Sequence, residues 1–577
     1  MGVSPVRIVA VVLAVLAPAW ACTKDNVGSS SGGPVTGPAV KSTAPPADAT
    51  QVLIAYGSEK KSWLEEQIAS FNSSGAKLPS GSPVVVVGKA MGSGEAVEEI
   101  LAGRLRPAVF SPASSVYVAI LNDRWLAAPG HATPLAPNGD SIVISPLVIA
   151  MWRPMAEALG WPKQRLGWSD VIKASREPRG WAARGRPEWG RFKLGHTHPE
   201  YSSSGLLTVL AEAYAGAGKT RGLTSGDLDG KKPRAFVQAI EKAIVHYGKS
   251  TGFFAEKMAA RGPSYLSAAV LYENLVVEAN QPRPTGGAPI DMPIVAVYPR
   301  EGTFWADHPY CVLSDSTIVT PAQRQGAELF LQHLKTKTAQ ARALTFGFRP
   351  ADPSVALGAP IDDAHGVDAK EPRTLLEIPA VPALQALLSM WRDVKKSSDV
   401  TLVFDKSGSM QGRPLREAKA GARAFLDNLS PRDQASLVFF DHEIYSPIGP
   451  MLVAMGRDQL GARLDGVIAS GGTALYDAVS SSFGAARGRL QGAPDRIHAL
   501  VVMTDGKDES SHLTLEQLTA QLPRGEEGAP VKIFTIGYGT AAQAQPLAAI
   551  ADATDGSYSK GNPENIVQVY RDIASFF

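Results

Sequence analysis

Five residues, Asp405-Lys406-Ser407-Gly408-Ser409, follow directly on the apolar run Val400-Thr401-Leu402-Val403-Phe404. A short, continuous apolar run of this kind predicts a strand buried on both faces, as in a parallel sheet. The turn then leaves the C-terminal end of that strand carrying one carboxylate and two hydroxyls, which is where open α/β sheets gather their ligands. An all-oxygen donor set suits a hard divalent cation and suits zinc poorly. The pattern therefore constrains this part of the chain to an α/β fold and points to metal-dependent binding more than to catalysis.

The unit from 399 to 577 repeats that logic. Apolar runs at 400–404, 435–440, 497–504 and 531–536 predict strands, and amphipathic stretches near 414–428, 474–487, 514–521 and 563–575 predict helices. Two further polar turns stand out, Gly471-Gly472-Thr473 before a helix and Thr504-Asp505-Gly506 after the strongest strand. In a parallel sheet both reach the edge that holds Asp405, gathering Asp405, Ser407, Ser409, Thr473 and Asp505 around one point. Taken singly, Asp-x-Ser-x-Ser is a helix-capping Asx or Ser turn and Asp-Gly is a plain turn. It is the full set, in order and each at a strand end or helix start, that carries the inference. Lys406 is expected to point away from the metal, as surface charge.

This unit resembles a von Willebrand factor A domain, whose metal-ion-dependent adhesion site reads Asp-x-Ser-x-Ser, then Thr, then Asp. The resemblance implies a doubly wound, Rossmann-like fold. It implies direct metal contacts from Ser407 and Ser409, direct or water-mediated contacts from Asp405 and Asp505, and exchange with water at Thr473. It also implies Mg²⁺ first, with Mn²⁺ and Ca²⁺ as alternatives, and a protein partner that offers an acidic residue to the ion.

A chain of 577 residues is too long for one core. With 44% hydrophobic and 19% charged residues it is globular in composition. A formal net charge of +2 gives no broad basic face, so nucleic acid is not an expected partner. Two cysteines, Cys22 and Cys311, rule out a disulfide scaffold and a Cys-rich zinc site. Residues 1–21 carry a basic start at Arg7, an apolar stretch at 8–17 and a small-residue cleavage motif at 19–21, the pattern of an export signal. Cys22 follows at once, and residues 23–50, rich in Gly, Ser, Thr and Pro, read as a flexible tether. This arrangement resembles a bacterial lipoprotein, which implies lipidation of Cys22 and an extracytoplasmic place in the cell envelope, with the lipid as the only membrane anchor. Ordinary secretion after cleavage at Ala21 is the alternative.

Residues 51–350 form a second α/β unit. Strands are expected at 52–56, 84–87, 108–110, 142–144 with 147–151, 193–195 and 294–298. Several end in small polar turns that open helices, and helix N-termini with free N–H groups suit polar or anionic ligands. Those turns supply Ser58, Glu59, Ser93, Ser111, Ser114, Ser204 and Thr303 as candidate ligand contacts, with Glu273 near the same cleft. Good capping and turn chemistry explains the same residues without any ligand. On Ser58-Glu59-Lys60, Ser145-Pro146-Leu147-Val148-Ile149-Ala150, Gly195-His196-Thr197-His198-Pro199 with Ser204-Gly205, and Phe346-Gly347-Phe348-Arg349-Pro350, this half resembles bacterial extracellular solute-binding proteins of the two-lobed, periplasmic type. The resemblance implies one lobe from 51–140 plus 290–350, another from 141–289, and a small solute or peptide held between them.

Residues 351–398 are expected to be a linker containing a helix near 380–394. His196, His198 and His308 could bind a transition metal, although polar loop histidines are the favoured reading. Cys311 is expected to be a small buried thiol. No nucleophile–base pair or catalytic signature is visible, so the chain is read as a binding protein and not an enzyme. The alternative role is the substrate-binding component of an ABC-type importer with an accessory A domain.

Overall fold

The computed structural model describes residues 48–282, 290, 292–522, 531–539 and 542–577. The export segment and Cys22 lie outside the described residues. Among the described residues no helix is long and apolar enough to cross a membrane.

The first lobe is a sheet in the order β2-β1-β3-β11-β4. It joins β1 (Thr50–Gly57), β2 (Val84–Met91), β3 (Val109–Ser111), β4 (Asp140–Ser141) and β11 (Pro309–Val312). β1 lies parallel to β2 and β3, and β11 runs antiparallel to β3 and β4. The second lobe is a sheet in the order β10-β5-β8-β6-β7. Its strands are β5 (Val143–Trp152), β6 (Leu194–Thr197), β7 (Ile244–Gly248), β8 (Ala268–Tyr272) and β10 (Trp305–Ala306). β9 (Ile294–Val297) and β12 (Arg349–Pro350) also pair with β5. Residues 142–144 and 147–151, read from sequence as two runs, are one strand.

The lobe division differs from the expected one. Residues from 290 onward do not all belong to the first lobe. β9, β10 and β12 pair with successive stretches of β5, at Ile149–Trp152, Ser145–Pro146 and Val143–Ile144. A buried strand needs partners for its backbone on both sides, and β8 covers only one. The chain returns to the first lobe at β11.

Residues 351–380 are not a free linker. They wrap the second lobe through a bridge from Thr303 to Leu375, a 2.8 Å hydrogen bond from Tyr214 Oη to the Glu377 carbonyl, and one of 2.9 Å from Asn280 to the His365 carbonyl. The helix Val381–Val394 then buries Leu384, Leu387, Trp391 and Val394, an i, i+3, i+7 stripe that presents one apolar face.

The C-terminal sheet has the order β15-β14-β13-β16-β17-β18. It comprises β13 (Ser398–Asp405), β14 (Gln434–Phe440), β15 (Ile448–Leu452), β16 (Ile497–Thr504), β17 (Val531–Tyr538) and β18 (Ser557–Gly561). All pairs are parallel except β14 with β15. β13 and β16 are buried along their whole length, as continuous apolar runs between two helix layers must be. The helix Arg413–Asn428 packs on the helix Ile566–Ala574, with Gly421 so close to Tyr570 that a Cβ would lie 2.5 Å from the ring.

Candidate functional sites

Asp405 closes β13 and Thr504 closes the neighbouring β16, so the two strand ends deliver their polar residues to one edge. Asp405 is fully buried. Its Oδ1 accepts the Ser407 backbone N–H at 2.7 Å and its Oδ2 accepts the Thr504 hydroxyl at 2.5 Å. Ser407 Oγ and Ser409 Oγ are 3.0 Å apart, and Ser409 Oγ donates to Asp505 Oδ1 at 2.7 Å. Thr473 stands at the same edge, where a Cβ on Gly506 would lie 3.1 Å from its Oγ1. The structure thus brings all five sequence-derived residues together.

Electrostatics fit a cation there. Burial, helped by the nearby Asp505 charge, pushes the Asp405 carboxyl up to about 6. Burial also raises Asp505. Among the described residues, neither carboxylate has a basic side chain as a hydrogen-bond partner. Two carboxylates and three hydroxyls with no cation among them form an oxygen donor set that suits Mg²⁺. Lys406 points elsewhere, as expected, but it is not mere surface charge. Its ammonium pairs with buried Asp441, bonds Ser470 Oγ at 2.7 Å and lies 4.5 Å from the Tyr445 ring centroid. Burial alone would raise Asp441, yet Lys406 and neighbouring donors hold it down to about 2.

The second site is the cleft between the lobes, which is closed. Gly252 N donates to Ser58 Oγ at 3.0 Å, Asn274 to the Glu59 carbonyl at 3.1 Å, and Tyr117 Oη to the Pro199 carbonyl at 2.6 Å. Gly252 is needed at this approach, since a Cβ would meet the Ser58 carbonyl oxygen at 2.4 Å.

At the centre stand Glu59, Lys60 and His308, all buried. Lys60 Nζ is 2.9 Å from Glu59 Oε1, 3.2 Å from the Pro112 carbonyl and 3.2 Å from His308 Nδ1. Burial opposes the Glu59 charge, but Lys60 and His308 outweigh it and hold the carboxyl down to about 2. Burial, with Lys60 beside it, lowers His308. His308 Nδ1 faces both the Lys60 ammonium at 3.2 Å and Glu59 Oε1 at 3.4 Å, so it can accept from the first or donate to the second. His308 holds φ at +40°, a backbone state that costs a residue with a Cβ and persists where the surroundings impose it.

Among the described residues, His308 Nε2 and Ser111 Oγ are buried without a hydrogen-bond partner, and Ser203 Oγ and Tyr272 Oη have only each other. Tyr272 lies beside Ser203 and its ring centroid is 5.7 Å from that of His308. Unpaired buried polar atoms cost about 1–3 kcal/mol each, and a bound ligand removes that cost.

The other sequence-derived contacts have internal partners. Ser58 accepts from Gly252, Ser93 Oγ from Ala113 N at 3.2 Å, and Ser114 Oγ from Val116 N at 3.3 Å. Ser204 Oγ bonds Thr197 and Thr251, each at 2.7 Å. Glu273 is held by Arg349 at 2.7 Å and by Tyr298. Thr303 donates to the Leu147 carbonyl at 2.7 Å. Sequence reasoning passed over Lys60, Ser203, Tyr272 and the role of His308. Their only local signal is a charged or polar residue next to a strand end, which surface residues share. Cys311 is a buried thiol.

The family profile of the bacterial extracellular solute-binding proteins matches residues 52–349, and that of the von Willebrand factor type A domain matches residues 399–571. An uncharacterized protein of Synechocystis sp. is 28% identical over 176 residues, covering 30% of this chain and 40% of that protein. Inter-alpha-trypsin inhibitor heavy chain H4 of Homo sapiens is 37% identical over 84 residues, 14% of this chain and 9% of its own length. The chain therefore spans less than half the length of these curated relatives. Among solved structures, the sulfate-binding protein SubI from Mycobacterium tuberculosis H37Rv is similar with a TM-score of 0.36 at 20% identity, over 56% of this chain and 92% of that one. A von Willebrand factor type A structure from Catenulispora acidiphila gives 0.28 at 21% identity, over 31% and 42%.

Proposed function

The chain belongs to the bacterial extracellular solute-binding proteins and carries a von Willebrand factor A domain behind that module, and from this premise we propose an extracytoplasmic binding protein with two receptor sites. The A domain takes an acidic side chain of a protein partner in a Mg²⁺-dependent way. The cleft takes a small solute. The observation that carries the first part is the hub of Asp405, Ser407, Ser409 and Asp505, joined by contacts of 2.7–3.0 Å with no basic side chain among them. Asp405, Ser407, Ser409, Thr473 and Asp505 are the residues that would hold the ion. When bound, it supplies the positive charge that a partner carboxylate needs. No reaction is assigned to either site.

For the cleft, the unpaired groups support one ligand class. Ser111 Oγ and His308 Nε2 lack partners, and the paired Ser203 and Tyr272 hydroxyls have hydrogen-bonding capacity to spare. A compact solute rich in acceptor oxygens satisfies them. Anchoring through lipidated Cys22 belongs to the same proposal, and mass spectrometry of the mature N-terminus tests it.

The test of the metal site is calorimetric titration with Mg²⁺ and thermal melting. Mg²⁺ at about a hundred times its Kd should stabilise the A domain by about 2.7 kcal/mol, and Asp405→Ala should abolish both the binding heat and the stabilisation. Unchanged Mg²⁺ affinity in Asp405→Ala would sink the site. Capture of an envelope partner should vanish with chelator.

A second reading, delivery of solute to an ABC-type importer, is favoured by the closure of the lobes around the buried Glu59–Lys60–His308 centre. It requires a solute-dependent change in compactness by X-ray scattering and binding to a permease that survives Asp405→Ala.

A further inference from the structure

A third polar cluster lies inside the second lobe. His196 comes from β6, Glu212 from the helix Ser203–Ala217 and Glu241 from the helix Lys231–Glu241, and none of the three is exposed. Their ligating atoms all lie within 4.8 Å of one another. His196 Nδ1 is 2.7 Å from the Thr197 carbonyl, and a carbonyl only accepts, so Nδ1 carries the proton. Nε2 then presents its lone pair to Glu241 Oε1 at 3.1 Å. A lone pair and a carboxylate oxygen both accept, so this contact needs a proton or a metal cation between them.

The second observation is independent. Both oxygens of Glu212 are buried and, among the described residues, have no hydrogen-bond partner. A buried carboxylate without a partner is among the most costly groups a protein can hold. Tyr247 Oη donates to Glu241 Oε2 at 2.6 Å, the hydrogen bond that orients a ligating carboxylate from behind.

We propose that His196, Glu212 and Glu241 bind one first-row divalent metal of the imidazole–carboxylate class, Zn²⁺ in the first instance, as a structural ion. One imidazole nitrogen and two carboxylates match that class, whereas the A-domain hub is all oxygen. The ion ties β6 to two helices, and Tyr247, which bonds Glu241, packs against Trp391 of the helix Val381–Val394 with ring centroids 5.5 Å apart. It thus fixes the surface on which the connecting helix rests. Sequence reading set His196 aside as a loop histidine, because its partners lie 16 and 45 residues away on helices.

The experiment uses the full chain in the Asp405→Ala background, so that the A-domain hub does not contribute. Protein unfolded with chelator is refolded with Zn²⁺ or Co²⁺, desalted and analysed for metal. One equivalent per chain is expected, falling to none in Glu212→Gln together with a lower melting temperature. Natively folded protein that retains neither metal overturns the proposal. So does a Glu212→Gln variant that melts higher than its parent, since that marks two carboxyls sharing protons. Should Glu212→Gln fail to fold, the Co²⁺ form of the parent decides. Ligand-field bands without a thiolate charge-transfer band, with one paramagnetically shifted imidazole, are expected, and the lack of a shifted imidazole overturns the site.

Discussion

Lys249 Nζ lies 2.7 Å from Asp572 Oδ1, an ion pair that joins the second lobe to the A domain. The same ammonium is 2.6 Å from Glu95 Oε1 of the first lobe. One lysine therefore stands where three bodies meet. The helix Val381–Val394 repeats the pattern, since Gln385 bonds Asp123 of the first lobe at 3.0 Å while Arg392 pairs with Glu200 of the second. Opening of the lobes and undocking of the A domain share the Lys249 contacts.

Lys249→Met should loosen all three bodies together. Isolated exposed pairs are worth little, and a three-way, partly buried network is worth on the order of 1 kcal/mol or more. The expected outcome is an A-domain melting transition that separates from that of the lobes in calorimetry, with faster proteolysis between 351 and 398. A single unshifted transition would show that the network is idle.

Docking of the A domain should strengthen as pH rises above neutrality. Lys257 bonds the Gly556 carbonyl at 3.1 Å. Burial, then the charges of Lys532 and Arg261, lower its pKa to about 7, against Asp555 and Asp552, which oppose the shift. Lys532, across the Tyr265 ring, is lowered to about 8, mainly by burial. The undocked lysine, with an ordinary pKa near 10.5, holds its proton where the docked one has lost it. Docking is therefore weakened as pH falls from about 10 to about 7, and changes little below that from this group. Compactness by X-ray scattering between pH 7 and 9 measures it, and Lys257→Met should flatten the profile.

Lys60→Met should destabilise the lobes by about 3–5 kcal/mol, because it leaves the Glu59 carboxylate buried without its cation. Adding Glu59→Gln should recover much of that loss, and denaturant melts of both variants check the pair. The acid side follows with the opposite sign to Lys257. The Glu59 pKa is depressed from 4.5 to about 2, so its contribution is complete above about 4.5 and is lost as pH falls toward 2. Glu59→Gln should remove that part of the acid sensitivity.

Gly252→Ala should keep both lobes folded and weaken solute binding at least tenfold. The added Cβ meets the Ser58 carbonyl, which the closed cleft cannot absorb without parting, and overpacking of this kind costs about 1–3 kcal/mol. Equilibrium dialysis with any small solute released on denaturing the parent protein measures the change, and scattering should show a more open particle.

Much of the fold was legible because burial on both faces writes itself locally. The apolar runs of β1, β13 and β16 stand out without knowledge of their neighbours. Edge strands did not. β15 and β18 are short and half-exposed, and their composition does not separate them from loops. β7 and β8 were passed over, β8 although buried along its length, since each runs into a helix-opening turn within a few residues. The assignment of β9 and β10 to the second lobe depends on which edge of β5 lies open, and that is a property of the assembled sheet.

The same division separates the sites. Asp405, Ser407 and Ser409 are neighbours in one turn, and Thr473 and Asp505 each flank an unmistakable element, so the sequence by itself determined the oxygen-rich hub of the A domain and the order of its residues. Glu59–Lys60–His308 spans 248 residues between Lys60 and His308, and His196–Glu212–Glu241 draws on one strand and two helices. Only the tertiary structure decided that these charged groups face inward and toward each other. The physical reason is that a charged residue at a strand end has the same local pattern whether water or another buried charge completes it.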